Sequence, residues 1–345
     1  MPTRRIGTSV AGVLAAGLVA MVISVIAGPG FIAFLGRNEF GQHVRLPHHI
    51  EKHGTPTMGG LLILFAATIA FLPLSDFTLP ALTIFGTALA CGAVGFLDDF
   101  TKLRNKRSLG LRGRWKMVFL VLITAAVGVA AHHQHLSHSV YVPIGDWMIP
   151  LGPFWYALLF LIIAGGANGV NLTDGVDGLA AGTSIIALAT FTAMAVTVYI
   201  RSSTASHGRI ENRLDVAFIG AALVGAAVGY LWFNASPAQL FMGDTGSFAL
   251  GGAIAAMAVM LKVELLLLFV GGIFVVTSGS VIIQVVSYRG WGRRVFLIAP
   301  LQHHFEMKAW SEGKIMVRFW IVTALFCALG FALFYKYYLP IRAHS

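Results

Sequence analysis

Apolar residues in this chain come in long runs rather than in the alternation that marks a half-buried strand, and short polar stretches separate the runs. A helix needs about 20 mostly apolar residues to cross the hydrocarbon core. By that measure ten spans are predicted, at roughly 8–35, 57–74, 79–97, 116–132, 154–168, 178–200, 215–233, 247–261, 264–287 and 316–339. The fifth and eighth are short and flanked by glycine, and the turn at Lys262 to Glu264 is the weakest boundary. The first run is too long for a signal-peptide core and ends in G-P-G without a small-x-small cleavage site, so it is read as a span. The pattern predicts an all-α polytopic membrane protein of about ten transmembrane helices, one domain over residues 1–345, with no internal repeat and no linker.

One polar interruption carries chemistry. Asn168 to Gly182 reads N-G-V-N-L-T-D-G-V-D-G-L-A-A-G and lies between two of these runs. Carboxylates at a membrane are costly unless paired, wetted or bound to a cation. Asp174 and Asp177 are three residues apart, so at a helix start they would share a face. The stretch alone is open to two other readings: a Gly/Asn/Asp turn with a helix cap, or the broken helix of a transporter.

Composition then sets the class and the orientation. At 57% hydrophobic and 11% charged, the chain is far from soluble usage, where about a quarter of residues are charged. Cys91 and Cys327 lie inside apolar runs and are expected to pack as small hydrophobes. The net charge of +10 suits anionic lipids or phosphorylated substrates. Nothing between the runs is large enough to fold as a nucleic-acid-binding domain. With both termini outside, sixteen of the 24 Lys and Arg fall in inner loops and eight outside, which favours that arrangement. The histidines at 132, 133, 135 and 138 then lie in an outer loop, read as solvated.

The same orientation puts five acids on the inner face: Asp98, Asp99, Asp174, Asp177 and Asp244. Such hard oxygen ligands suit Mg2+, which takes one or two carboxylates together with phosphates and water. The inner loops add Lys52, Lys102, Lys116, Arg289, Arg293 and Arg294, suited to phosphates. For most of these the positive-inside rule is explanation enough, but Lys52, Lys102 and Lys116 sit beside motifs. The last inner loop carries A-P-L-Q-H-H-F-E over 299–306. Adjacent His303 and His304 would diverge on a helix, so hydrogen bonding or proton shuttling fits better than joint chelation. Trp291 and Trp310 read as interfacial anchors for that loop.

Seven motifs in order resemble the phospho-N-acetylmuramoyl-pentapeptide transferase family, within the polyprenyl-phosphate sugar-1-phosphate transferases. They are K-H-G-T-P-T-M-G-G (52–60), G-F-L-D-D-F-T-K (95–102), R-W-K (114–116), N-L-T-D-G-V-D-G-L-A-A-G (171–182), N-A-S-P-A-Q-L-F-M-G-D-T-G-S (234–247), A-P-L-Q-H-H-F-E and W-S-E-G-K-I-M-V-R-F-W-I (310–321). The resemblance implies ten spans in the bacterial cytoplasmic (inner) membrane, periplasmic termini, a cytoplasmic site, Mg2+ and a homodimer. It implies transfer of phospho-MurNAc-pentapeptide from UDP-MurNAc-pentapeptide to undecaprenyl phosphate, giving lipid I and UMP.

By that resemblance Asp244 is the foremost metal ligand, with Asp99 and Asp177 close to the phosphates, and Asp98 binds or deprotonates the acceptor phosphate. Lys52, Thr57, Asn171, Asn234 and His303 would line the nucleotide and phosphate pocket, with Lys102, Lys116, Asp174 and His304 beside them. Phe241, Gly178 and Leu179 would hold uracil. One departure stands out: the family usually has three consecutive histidines where this chain has Gln302, His303 and His304. Gln302 cannot titrate, so it is expected to position substrate while His303 does the polar work. Two rivals are a sister enzyme using UDP-GlcNAc and a cation-coupled transporter. The last two motifs speak against the first. Acids at one edge and the lack of a repeat speak against the second.

Overall fold

The structure is a computed structural model that describes residues 10–37, 54–104, 110–143, 147–202 and 211–339. In chain order its helices are α1 (Val10–Arg37), α2 (Gly60–Phe71), α3 (Leu79–Arg104), α4 (Gly113–His133), α5 (Phe154–Thr173), α6 (Leu179–Ser202) and α7 (Glu211–Asn234). They continue with α8 (Gly243–Met260), the short α9 (Leu267–Val270), α10 (Gly272–Trp291), the short α11 (Leu301–Glu306) and α12 (Glu312–Leu333). This is an all-α polytopic membrane protein. Eight of the described helices are long and apolar enough to cross a membrane.

The other two predicted spans are also helices, but of a different kind. The 57–74 span is α2, only 12 residues long. The 247–261 span is α8, and 16 of its 18 residues are buried. It is the central strut, with α2, α3, α5 and α6 packed around it. Its neighbours come close because glycines line the contacts. A Cβ on Gly95 of α3 would lie 2.1 Å from the Asp244 carbonyl oxygen, and one on Gly60 of α2 would lie 2.1 Å from the Gly246 nitrogen.

Three sequence expectations are corrected. The ninth span is not one helix over 264–287: a 3-10 turn at Glu264–Leu266 and α9 precede a break at Gly271, and α10 continues from there. A two-stranded antiparallel hairpin, β1 (Ser139–Val142) with β2 (Trp147–Pro150), covers the far end of the bundle. His138 there is not simply solvated, because it stacks on the buried Trp155 with ring centroids 5.1 Å apart. Cys91 and Cys327 are buried free thiols, as their apolar runs led one to expect.

Candidate active site

Helix continuation past the apolar run builds the first half of the site. The third predicted span ends at 97, but α3 runs on to Arg104. Asp98 and Lys102 are therefore i and i+4 on one face. The Lys102 ammonium lies 2.6 Å from Asp98 Oδ2, 3.7 Å from Asp99 Oδ1 and 3.0 Å from Asp244 Oδ1. Lys116, in the first turns of α4, approaches Asp98 Oδ1 at 3.0 Å and Asp244 Oδ2 at 2.8 Å.

Asp99 plays a different part. Its Oδ1 accepts from the Asp244 backbone N–H (3.1 Å), and its Oδ2 from the Thr245 N–H (2.9 Å) and hydroxyl (2.8 Å). These donors are the free N–H groups at the start of α8, so Asp99 caps that helix from α3. The arrangement demands close approach: Gly243 has φ +72, and a Cβ there would stand 2.5 Å from Asp99 Oδ2. Asp244 is further fixed by Asn171, whose Nδ2 donates to Oδ1 at 3.0 Å and to Ser247 Oγ at 3.0 Å.

Asp98, Asp99 and Asp244 each offer an oxygen within 4.8 Å of the others. Three hard carboxylate ligands beside two ammonium groups fit Mg2+ and anionic phosphates together. Asp177, expected among the metal ligands, stands outside this group. Its Oδ2 accepts from the Ala238 N–H at 3.0 Å. Asp174 and Asp177 do not share a helix face, because α5 ends at Thr173 and both fall in the turn before α6. Gly178, at φ +74, completes that turn, and its N–H donates to Asn234 Oδ1 at 3.0 Å. Burial first, then the charges of Asp244, Asp99 and Asp177, push the Asp174 carboxyl up to about 8.

The remaining expected residues gather nearby or behind. Thr57 is buried, with Oγ1 on the Gly243 side of the cluster. Phe241 is locked by its backbone, its N–H donating to Pro56 O and its carbonyl accepting from Gly59. Asn234 Nδ2 and the Tyr230 hydroxyl both donate to Leu240 O. Leu179 is wholly buried at the start of α6. Lys52 lies outside the described residues.

In α11 the two histidines diverge: His303 Nδ1 meets Glu306, while His304 Nδ1 accepts from the Leu297 N–H. His303 stands over the acid turn, its Nε2 2.6 Å from where a Cβ on Gly175 would be. Gln302 is 0% exposed, and its Nε2 donates to Leu172 O at 2.7 Å. It therefore pins α11 to the end of α5 rather than facing the pocket. Sequence reasoning passed over Thr245 and Ser247. Both lie inside the G-D-T-G-S motif, where hydroxyls directly after an acid were the available signal.

Residues 81–262 match the sequence model of Glycosyl transferase family 4, and residues 52–64 match Phospho-N-acetylmuramoyl-pentapeptide-transferase signature 1. A phospho-N-acetylmuramoyl-pentapeptide-transferase of Halalkalibacterium halodurans is 42% identical over 320 residues, covering 91% of this chain and 94% of that one. The chain belongs to the phospho-N-acetylmuramoyl-pentapeptide transferase family. The transferase of that name from Geobacillus kaustophilus is 44% identical, over 90% of this chain and 94% of its own. That from Frankia alni is 41% identical, over 95% and 98% respectively. Within this transferase family the signature begins at Lys52 and takes in Thr57, so it abuts the acidic cluster.

Proposed function

We propose that the chain transfers phospho-MurNAc-pentapeptide from UDP-MurNAc-pentapeptide to undecaprenyl phosphate, releasing UMP and forming lipid I. The observation that carries this reading is the convergence of three acids and two lysines at one end of a membrane bundle. A lipid-borne phosphate and a water-soluble nucleotide can meet only at the membrane surface. The excess of Lys and Arg in the loops at that end supports a cytoplasmic site, periplasmic termini and residence in the bacterial inner membrane. A homodimer belongs to the same proposal, on the family resemblance.

In the reaction an oxygen of the acceptor phosphate attacks the sugar-bearing phosphorus of the donor, and the phosphorus–oxygen bond to UMP breaks. Both reactants are anionic, so the barrier is dominated by charge repulsion and alignment. Lys102 and Lys116 bring two positive charges to the place where the phosphates meet. Asp98, salt-bridged to both, would orient the acceptor and take up its proton. Asp244, with Asp98 and Asp99 beside it, would hold Mg2+, which when bound offsets charge on the pyrophosphate. Asn171, Thr245 and Ser247 keep Asp244 and Asp99 in position. His303 stands across the acid turn and would hydrogen-bond a substrate oxygen there.

The test uses purified full-length protein in detergent with undecaprenyl phosphate, Mg2+ and one of two donors. UMP should appear with UDP-MurNAc-pentapeptide and not with UDP-GlcNAc. UMP from UDP-GlcNAc alone would overturn the substrate assignment.

A further inference from the structure

Between α10 and α11 the chain turns at Gly292 and doubles back along the helix it has just left. Ser287 Oγ donates to Arg293 O at 2.8 Å. Gln284 Oε1 accepts from the N–H groups of Val295 (3.1 Å) and Phe296 (2.9 Å), and its Nε2 donates to Phe296 O at 3.0 Å. The loop therefore dips to the level of Gln284, about 10 Å below the end of α10 at 1.5 Å per residue. His304 Nδ1 accepts the next N–H, that of Leu297. Each of these main-chain groups is satisfied by a side chain, not by a ladder. A loop in water has no need of such partners, whereas irregular backbone at membrane depth does.

The side chains agree with that depth. Trp291 is 73% exposed, Val295 55% and Leu297 51%, and they flank the outward face of α10, where Ile282, Ile283, Val285 and Val286 are also exposed. Arg289, Arg293 and Arg294 stand exposed on the same short stretch, and residues 284–300 contain no acid. Three guanidinium groups above an apolar edge, with a tryptophan between them, match the level where lipid phosphates lie.

We propose that residues 289–297 form an interfacial anchor that binds the phosphate headgroup of an anionic phospholipid of the bilayer. Trp291, Val295 and Leu297 enter the acyl region, and Arg289, Arg293 and Arg294 hold the phosphate. Because Leu297 is tied to His304, the anchor also sets the height of α11, and with it His303, against the headgroups. The inference rests on α10 crossing the membrane and not on the reaction assigned to the site.

The experiment places a bimane label on Val295→Cys in the full-length protein, since Cys91 and Cys327 are buried. The labelled protein is put in nanodiscs containing brominated phosphatidylglycerol or brominated phosphatidylcholine at equal mole fraction. Both should quench the label, the anionic lipid by at least about twofold more, because basic residues near the surface concentrate anionic headgroups around them. The ratio should fall to one in the triple variant Arg289→Gln, Arg293→Gln, Arg294→Gln and survive in the corresponding triple Lys variant. Absence of quenching by either lipid would overturn the depth. A ratio of one in the parent, or a ratio that survives the Gln variant, would overturn the phosphate assignment. Collapse of the ratio on adding unlabelled undecaprenyl phosphate at the same mole fraction would also overturn it, by showing that the acceptor is the ligand. None of these readings depends on turnover, so they stand apart from the donor assay.

Discussion

Gln302 is enclosed on all sides, and its one hydrogen bond, to Leu172 O, leaves its Oε1 without a partner. Replacing it with histidine offers the enclosure an imidazole that can donate to the same carbonyl. A charged ring in so enclosed a place would be a buried cation, and burial favours the neutral form. If the bond to Leu172 O is kept, the substitution costs little. If it is lost, a buried carbonyl is left unpaired at about 1–3 kcal/mol of stability. Either way the effect reaches the site only through a shift of His303, and the rate should change less than about tenfold, roughly 1.4 kcal/mol of barrier. His303→Ala removes the group that stands over Gly175 and should cost on the order of a hundredfold or more, the usual scale for a lost polar or acid–base group. The assay is UMP release by both variants across about two pH units either side of the histidine value near 6.5. A large gain from Gln302→His, with a new ionisation at that pH, would refute the positioning role.

Asp244→Asn should lower the rate by more than about tenfold, or 1.4 kcal/mol, with the protein still folded, because the acidic cluster loses one of the two carboxylates that Lys102 and Lys116 share; near-normal UMP release would exclude Asp244 as the central ligand. Thr245→Val removes one of three donors to the Asp99 carboxylate and should cost about 1.5–3 kcal/mol, the range for a hydrogen bond to a charged group, whereas Thr245→Ser should keep both thermal stability and rate. Gly95→Ala should separate α3 from α8 at an overpacking cost of about 1–3 kcal/mol, seen as a lower melting temperature together with lost activity; an unchanged melt would contradict the close contact. With its carboxyl raised to about 8, Asp174 keeps its proton at neutral pH in the ion-free protein. A folded value above the unfolded one means that stability falls as pH rises from about 4 to 8, while cation binding expels the proton, so Mg2+ affinity should climb with pH and level off above about 8. Calorimetry in buffers of different ionisation heat checks this, and an affinity flat through that window would count against the shift.

Hydropathy located the membrane core of each long helix, because it reads lipid contact. It did not locate helix ends. α3 outlasts its apolar run by almost two turns, since Asp98 and Lys102 support the helix where lipid no longer does. α8 begins at Gly243 rather than 247, and its cap is Asp99, 145 residues away in sequence from Asp244. A cap supplied by another helix leaves no local signal. The acids and lysines themselves were legible, because charge at a membrane edge is rare and each sits in a motif. What the sequence left open was their division of labour: which carboxylate faces the lysines and which holds the scaffold. That follows from the close packing of Gly95, Gly60 and Gly243, visible only once the helices are side by side. The hairpin at 139–150 escaped notice because two strands of four residues are too short to show alternation.

The burial of α8 bears on how the protein is made. This helix carries Asp244 at its first turn and is not among the eight that are long and apolar enough to cross a membrane. Left alone in the lateral gate of the insertion machinery, it would bring the Asp244 carboxylate to the membrane edge without the lysines that pair it. Its partners α2, α3, α5 and α6 are all synthesised before it. Insertion of α8 is then a docking event into a preformed socket, and Asp244 enters the membrane edge only in company with the residues that hold it. A glycosylation reporter placed after α8 should show correct topology in the full chain and fail when the segments containing α3 and α5 are deleted.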